Sequence, residues 1–250
     1  MSRFKITIEY KGTDFIGWQK QPDNSASIQE TIEKAIFKLT GQKADLLACG
    51  RTDAGVHAFG HVAHFDLSPE KSAVFSHLQL CSGINHFLIN SGIAIIKCDL
   101  VDENFHSRFS AKTRHYQYLI ANRHPHLTLY KDLAWHMKYQ LDLEKMIEAA
   151  KYLLGVHDFS SFRDAQCQAK NAIRSIDAIE IFRDEGFVKL NFSARSFLHH
   201  QVRNMVGTLV DVGKGKIAAS AIKDILEAKD RTKSGANAPA CGLYFVGVDY

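Results

Sequence analysis

The chain has 250 residues, 46% hydrophobic and 23% charged, a balance that excludes disorder as the main state and suits one large domain or two small ones. No apolar run approaches the ~20 residues of a membrane span. The net charge of +4 is mild, but it is unevenly placed. Asn104 to Lys131 holds no carboxylate and carries Arg108, Lys112, Arg114, Arg123 and Lys131. Gly186 to Val210 also lacks acid and carries Lys189, Arg195 and Arg203. Such segments suit a polyanionic partner such as nucleic acid, although chance bias in strand-rich sequence produces them too.

The first stretch, RFKITIEYKG, alternates Phe4, Ile6, Ile8 and Tyr10 on one face and predicts a strand. It has no long apolar segment, so no secretory signal is expected. Ser27 and Glu30 form an S-x-x-E capping box. A helix follows, with Ile28, Ile32, Ile36 and Leu39 at helical spacing and Gly41 as its stop. ADLLACG predicts a short buried strand, HVAHFDL the next strand, and Ser68-Pro69 the start of a helix to about Ser82. GIAIIKCDLV is a further strand. The rhythm then repeats. TRHYQYLIAN alternates, and LDLEKMIEAAKYLLG is amphipathic through Leu143, Met146, Ile147, Ala150 and Leu154, ending at Gly155. AIRSIDAIEIFRDEGFVKLNFSA predicts a hairpin turning at Asp184-Glu185-Gly186. FLHHQVRNMVGTLVDVGKG predicts a helix striped by Leu198, Val202, Met205, Val206 and Leu209. A short helix at Ala221 to Ala228 and a strand in GLYFVGVDY complete the order. This is an α+β (α/β-type) pattern in two similar halves with helices on one face of each. The boundary falls near Asp102 to Phe105, giving residues 1–104 and 105–250. No residue-level repeat relates the halves.

The five cysteines are scattered, with no C-x-x-C pair. They form neither a disulfide framework nor a zinc knuckle, and fit a reduced cytosolic chain. There is no G-x-x-x-x-G-K-[ST], no G-x-G-x-x-G after a strand, no G-x-S-x-G and no H-E-x-x-H. Nucleotide-driven and flavin chemistry are disfavoured, so any reaction is expected to use ordinary side chains.

The densest chemistry lies in LACGRTDAGVHAFGHVAHFD, Leu47 to Asp66. Asp53 stands in a loop leaving a buried strand, and Gly50 and Gly55 let the backbone turn and a ligand approach. Arg51 can pair with the carboxylate. Two readings stay open for Asp53: a turn residue held by a salt bridge, or an ionised carboxylate available as nucleophile or base. His57, His61 and His64 would share one face of a helix. Gly60 and the strand-like HVAHFD instead place His61 and His64 on opposite sides of a strand. No Asp/Glu/His ligand set completes the site, so no metal is expected. Tyr116 and Tyr118 share a strand face next to Arg114. They suit stacking on a nucleobase or simple burial. Arg203 borders the apolar stripe of its helix, and either snorkels or points into a cleft towards a carboxylate or phosphate, with Asn204, His199 and His200 on the same wall.

GRTDAGVHA (Gly50 to Ala58) resembles the signature of the TruA family of tRNA pseudouridine synthases. Seven further blocks agree with that family in order: EYKGTDFIGWQKQ from Glu9, SIQETIEKAI from Ser27, FHSRFSAKTRHYQY from Phe105, HDFSSFR from His157, FLHHQVRNMVG from Phe197, AKDRT from Ala228 and GLYFVGVDY from Gly242. The resemblance runs from end to end. It implies the pseudouridine synthase fold, with two α/β halves, a mixed β-sheet in each and a central RNA-binding cleft. It also implies a cytoplasmic homodimer that works without cofactor or metal. Uridines at positions 38 to 40 of the tRNA anticodon arm would be isomerised after base flipping. The family's catalytic aspartate maps onto Asp53, its base-stacking tyrosine onto Tyr116, and the arginine that pairs with the aspartate onto Arg203. Arg51 matches the arginine associated with holding the flipped nucleotide. Two departures are plain. Leu88-Ile89-Asn90-Ser91-Gly92-Ile93 stands where the family usually has Leu-Pro-x-Asp-Ile, and His61 stands where Gln is common.

Overall fold

A computed structural model describes residues 1–21 and 26–250. In chain order its elements begin with β1 (Ser2–Tyr10), α1 (Ile28–Thr40), β2 (Leu47–Ala48), β3 (His57–Leu67), α2 (Pro69–Val74), α3 (His77–Leu88) and β4 (Ile93–Val101). They continue with β5 (Thr113–Asn122), β6 (Trp135–Met137), α4 (Leu143–Lys151), β7 (Gly155–Asp158), β8 (Ile173–Asp184), β9 (Phe187–Ala194), α5 (Gln201–Gly213), α6 (Ala221–Ala228) and β10 (Leu243–Asp249). The fold is α+β, in two compact units: Met1–Lys112 with Tyr244–Tyr250, and Thr113–Leu243.

In the first unit the strand order is β4-β1-β3-β10, with β2 also on β3. The sheet is mixed: β1 runs antiparallel to β3 and β4, while β10 runs parallel to β3 through Tyr244↔His57 and Phe245↔Ala58. Phe4, Ile6, Ile8 and Tyr10 are buried, as their alternation predicts. α1 begins where the Ser27 hydroxyl accepts the Glu30 N–H at 3.3 Å. It ends at Gly41, left-handed at φ 71°, whose N–H donates to the Phe37 carbonyl. Its buried face carries Ile28, Ile32, Ala35 and Ile36, and α1 packs against α3, which also packs against β4.

The second unit has the order β5-β9-β8-β7, with β6 parallel to β5. β8 and β9 form the expected hairpin. Asp184 pairs with Phe187, and Glu185 and Gly186 turn with φ of 48° and 84°, the two positive values of a type I′ turn. α5 supplies most of the helical core, with Val202, Met205, Val206, Leu209, Val210 and Val212 all buried.

Five features differ from the sequence reading. Residues 105–112 and 244–250 join the first unit instead of the second. The cause is specific: the Ser107 hydroxyl donates to the Leu47 carbonyl, Lys112 N–H donates to the Asp249 carbonyl, and the Tyr250 hydroxyl donates to the Ser107 carbonyl. The helix expected from Ser68 to Ser82 is two helices, because Ser76 caps α3 in a full capping box with Gln79. On α4, Ile147 is 40% exposed, and the buried stripe runs through Met146, Ala149 and Ala150. Gly155 starts β7 rather than ending the helix. Finally, α5 begins only at Gln201, since His200 is left-handed at φ 61°.

Candidate active site

The loop bearing Asp53 is held mainly by backbone. Leu47 and Ala48 pair with His64 and Ala63 of β3, and the Cys49 N–H still donates to the Val62 carbonyl at 2.8 Å. The chain then leaves the sheet at Gly50. Its far side is fixed by the segment after β1. Asp53 forms an antiparallel bridge with Gly17, and the Trp18 N–H donates to the Thr52 carbonyl at 3.0 Å. The Val56 N–H closes a turn on the Asp53 carbonyl at 3.2 Å, with Gly55 at φ 78°. The Thr52 hydroxyl is buried against the Tyr10 hydroxyl at 2.8 Å. The Gly17–Trp18 segment is itself tied to the start of α1, where Ile28 and Gln29 donate N–H groups to the carbonyls of Gly17 and Trp18. Three sequence blocks, around Glu9–Gln21, Ser27–Ile36 and Gly50–Ala58, therefore make one clamp, and Asp53 stands half-buried at its centre.

Gly17 is indispensable to this clamp. Its φ is 113°, and a Cβ there would lie 2.7 Å from the Thr52 carbonyl oxygen and 3.1 Å from the Asp53 carbonyl carbon. Both neighbours are backbone and cannot swing away. Gly17→Ala is expected to destabilise the protein by about 1–3 kcal/mol through strain and clash. It should also slow the reaction by about 100-fold through displacement of Asp53. Urea unfolding together with single-turnover rates would check both, and an unchanged rate would separate Gly17 from the site.

The three histidines are structural members of the same region, each with a ring nitrogen against backbone. The Gly12 N–H donates to His57 Nδ1 at 3.0 Å, and His61 Nε2 lies 3.2 Å from the Gly50 carbonyl oxygen. His64 Nδ1 accepts the Ser107 N–H at 3.2 Å. All three are buried. As the strand geometry requires, His61 packs among Tyr10, Trp18 and Phe245, whereas His64 meets Phe105 and His106. Arg51 behaves differently from the salt-bridge expectation. Its side chain is exposed, and among the described residues it makes no ion pair with Asp53. What holds the loop is Tyr10, Gly17, Trp18 and Thr52, residues that sequence reasoning did not single out. Their signal was the Gly-Trp pair placed between a strand and a capped helix.

In the second unit, Tyr116 and Tyr118 lie on one face of β5 but have different fates. Tyr118 is fully buried, donates its hydroxyl to the Pro239 carbonyl at 2.7 Å, and has its pKa pushed up by burial. Tyr116 is half-exposed, opposite Phe192 in the sheet and edge-on to Phe197 at 5.2 Å. Core packing thus claims one tyrosine and leaves the other with accessible aromatic surface.

Arg203 is half-buried near the start of α5. Its Nε–H donates to the Ala238 carbonyl at 2.8 Å, and the Ala238 N–H returns to the Arg203 carbonyl. This fixes the plane of the guanidinium. The neighbouring Asn204 donates to the Phe162 carbonyl and accepts from Arg231, which also donates to Ser234 and Gly235. The blocks at His157, Phe197 and Ala228 meet in this network. Ahead of α5, Asp164 receives His200 Nδ1 at 2.6 Å, and its N–H donates to the His199 carbonyl. Burial raises the Asp164 carboxyl, but the Gln166 N–H and the two histidines outweigh that and hold it below its usual range.

The chain thus holds two α+β units with mixed sheets, one carrying a clamped carboxylate loop and the other a half-exposed tyrosine and an anchored arginine. The sequence pattern described as tRNA pseudouridine synthase matches residues 149–250. The chain is 50% identical over 248 residues to a tRNA pseudouridine synthase A of Ehrlichia ruminantium (strain Welgevonden), covering 99% of each chain. It is 49% identical to the tRNA pseudouridine synthase A of Ehrlichia canis (strain Jake) and 47% identical to that of Wolbachia pipientis wMel, in each case over 99% of this chain and 100% of the relative. The chain belongs to the tRNA pseudouridine synthase A family. A chain in a solved structure titled "Crystal Structure of a Cbf5-Nop10-Gar1 Complex" aligns over 82% of this chain and 54% of that one, at 13% identity and a TM-score of 0.35, too low to bear on the fold. Among the described residues no helix is long and apolar enough to cross a membrane.

Proposed function

We propose that the protein isomerises uridine to pseudouridine at positions 38, 39 and 40 of the tRNA anticodon arm, in the cytoplasm, as a cofactor-independent homodimer. The observation that carries the reading is Asp53, half-buried in a loop whose position is set by backbone contacts to Gly17, Trp18 and Val56. A base in a stem must be flipped before C1′ of its ribose is accessible, at a cost of a few kcal/mol of lost stacking. The N1–C1′ bond then breaks, the uracil turns, and C5 bonds to C1′. C5 gives up its proton and N1 takes one up, so the product is an isomer and no other reactant is consumed. An ionised Asp53 assists by attacking the sugar or base, or by accepting a ribose proton.

Substrate binding is assigned to Arg51, Tyr116 and Arg203. The exposed guanidinium of Arg51 suits a contact with the displaced nucleotide or its phosphate, and the half-exposed ring of Tyr116 suits stacking on the target base, an interaction of about 1–3 kcal/mol. Arg203, with its plane fixed, suits a directed contact to an anionic group. Tyr116→Phe should therefore keep most of the activity, whereas Tyr116→Ala should lose about 10- to 100-fold in kcat/KM, the rate equivalent of that stacking energy. Equal activities in the two variants would sink the stacking role.

The decisive test is to map pseudouridine by chemical labelling in bulk tRNA lacking the modification, with and without the purified protein. New signal confined to positions 38 to 40 is expected. Signal elsewhere, or none, would overturn the assignment. Light scattering should give a mass near twice the 28.1 kDa of one chain.

A further inference from the structure

Resting on that reading, we infer that the second unit carries a separate phosphate-binding pocket for the tRNA backbone, built by the loop after β5 and the tip of the β8–β9 hairpin. A cavity of about 300 Å³ opens there, lined by Arg123, Arg183, Glu185 and Gly186 with the aromatic pair Tyr130 and Phe187. The rings of that pair meet edge to face at 4.7 Å. Arg183 is preset. It donates to the Asn122 side-chain oxygen at 3.1 Å and to the Leu141 carbonyl at 3.4 Å, which aligns its guanidinium from β8 across to β5. Arg123 is fixed more lightly, by one bond to the His126 carbonyl at 3.1 Å.

Charge points to the ligand. Among the described residues neither Arg123 nor Arg183 is ion-paired, and the adjacent Asp184 is engaged with Lys189. The loop from Arg123 to Lys131 holds no carboxylate and adds His124, His126 and Lys131. Glu185 is the single acid at the rim of the cavity. Two planar guanidiniums lining one concave site, opposed there only by Glu185, match the oxygens of a phosphate group. The acid-free segment ending at Lys131 thereby gains a use apart from Tyr116, which lies earlier on β5. A backbone phosphate read here positions the RNA and carries no sequence information, so the pocket serves all substrate tRNAs alike.

The same phosphate chemistry would accept a free phosphate, and the experiment separates the two sources. Binding of unmodified tRNA is measured across a salt series for the wild type, Arg123→Gln, Arg123→Lys and Glu185→Gln. Arg123→Gln should weaken binding several-fold and reduce the log–log salt slope by about one. Arg123→Lys should keep the slope, and Glu185→Gln should tighten binding by removing the opposing charge. Thermal unfolding of each variant guards against misfolding, and the Glu185→Gln gain cannot arise from it. An Arg123→Gln slope equal to that of the wild type, or unchanged affinity in Glu185→Gln, would overturn the inference. So would binding of inorganic phosphate alone that disappears in Arg123→Gln while tRNA binding is unaffected. Pseudouridine formation by the wild type is read in parallel. Its absence would sink the proposed reaction, while the salt slopes would still decide the pocket.

Discussion

Asp53→Asn is expected to bind tRNA within a few-fold of the wild type and to form essentially no pseudouridine. The amide has the size and shape of the carboxylate. The contacts that define the loop, at Gly17, Thr52 and Val56, are made by backbone atoms and survive the change. What disappears is the negative charge, and with it every role open to the group: nucleophile, proton acceptor or electrostatic partner. Removing a group of this kind costs about 10⁴-fold or more in rate. Single-turnover assays at saturating tRNA, with binding measured separately, give the two numbers needed. Full activity in Asp53→Asn would reduce Asp53 to a turn residue.

The second large effect is a loss of stability in mild acid centred on His64. This ring is buried, accepts the Ser107 N–H at Nδ1, and lies 2.9 Å from the Ser107 hydroxyl, whose proton is given to the Leu47 carbonyl. Nδ1 is thus an acceptor, and the neutral ring carries its proton on Nε2, which is buried with no hydrogen-bond partner among the described residues. Burial, then the charge of Arg3 and the neighbouring His106, lower its pKa from 6.5 to about 4, against a smaller opposing pull from Asp66. The folded state therefore resists a proton that the unfolded chain accepts. Stability is fully present above pH 6.5 and falls as pH drops from 6.5 towards 4, by about 3 kcal/mol over the window. His106, also lowered chiefly by burial, adds in the same direction. His64→Asn keeps a side-chain acceptor for Ser107 and does not titrate. Urea midpoints compared between pH 7.5 and pH 5 should show a smaller acid loss in His64→Asn than in the wild type. Equal losses would place the acid sensitivity elsewhere.

Periodic and capped segments were legible in the sequence. β1, α1 and the β8–β9 hairpin follow from the alternation of Phe4 to Tyr10, from Ser27 with Gly41, and from Glu185-Gly186, because each depends on residues close in sequence. Two of the short strands were not. β6 has three residues and β7 has four, and each is set by pairing with a longer strand, β5 and β8 respectively. The unit boundary failed for a related reason: Ser107 and Tyr250 belong with the first unit through bonds across 60 and 143 residues, and no local pattern announces such pairings. Asp53 was visible as a candidate from its glycine-flanked loop, but its residues alone favoured a turn over a catalyst. Its fixed position comes from Gly17 and Trp18, more than thirty residues earlier. As a neighbour of Asp53, Arg51 was open to pairing with the carboxylate, and adjacency did not produce an ion pair.

The pairing of β10 with β3 has a consequence for biosynthesis. Tyr244 stacks on His57 and Phe59, and Phe245 meets His61, so the strand that completes the first unit also braces two of the histidines behind the Asp53 loop. The ribosome delivers that strand after the whole of the second unit. At about 5–20 residues per second, β3 waits on the order of ten seconds or more for its parallel partner. The second unit is contiguous in the chain and free to fold during that interval. The Asp53 loop gains its final support only when residues 244 and 245 emerge, so a chain cut short there would keep Asp53 in its sequence and lose the scaffold that positions it.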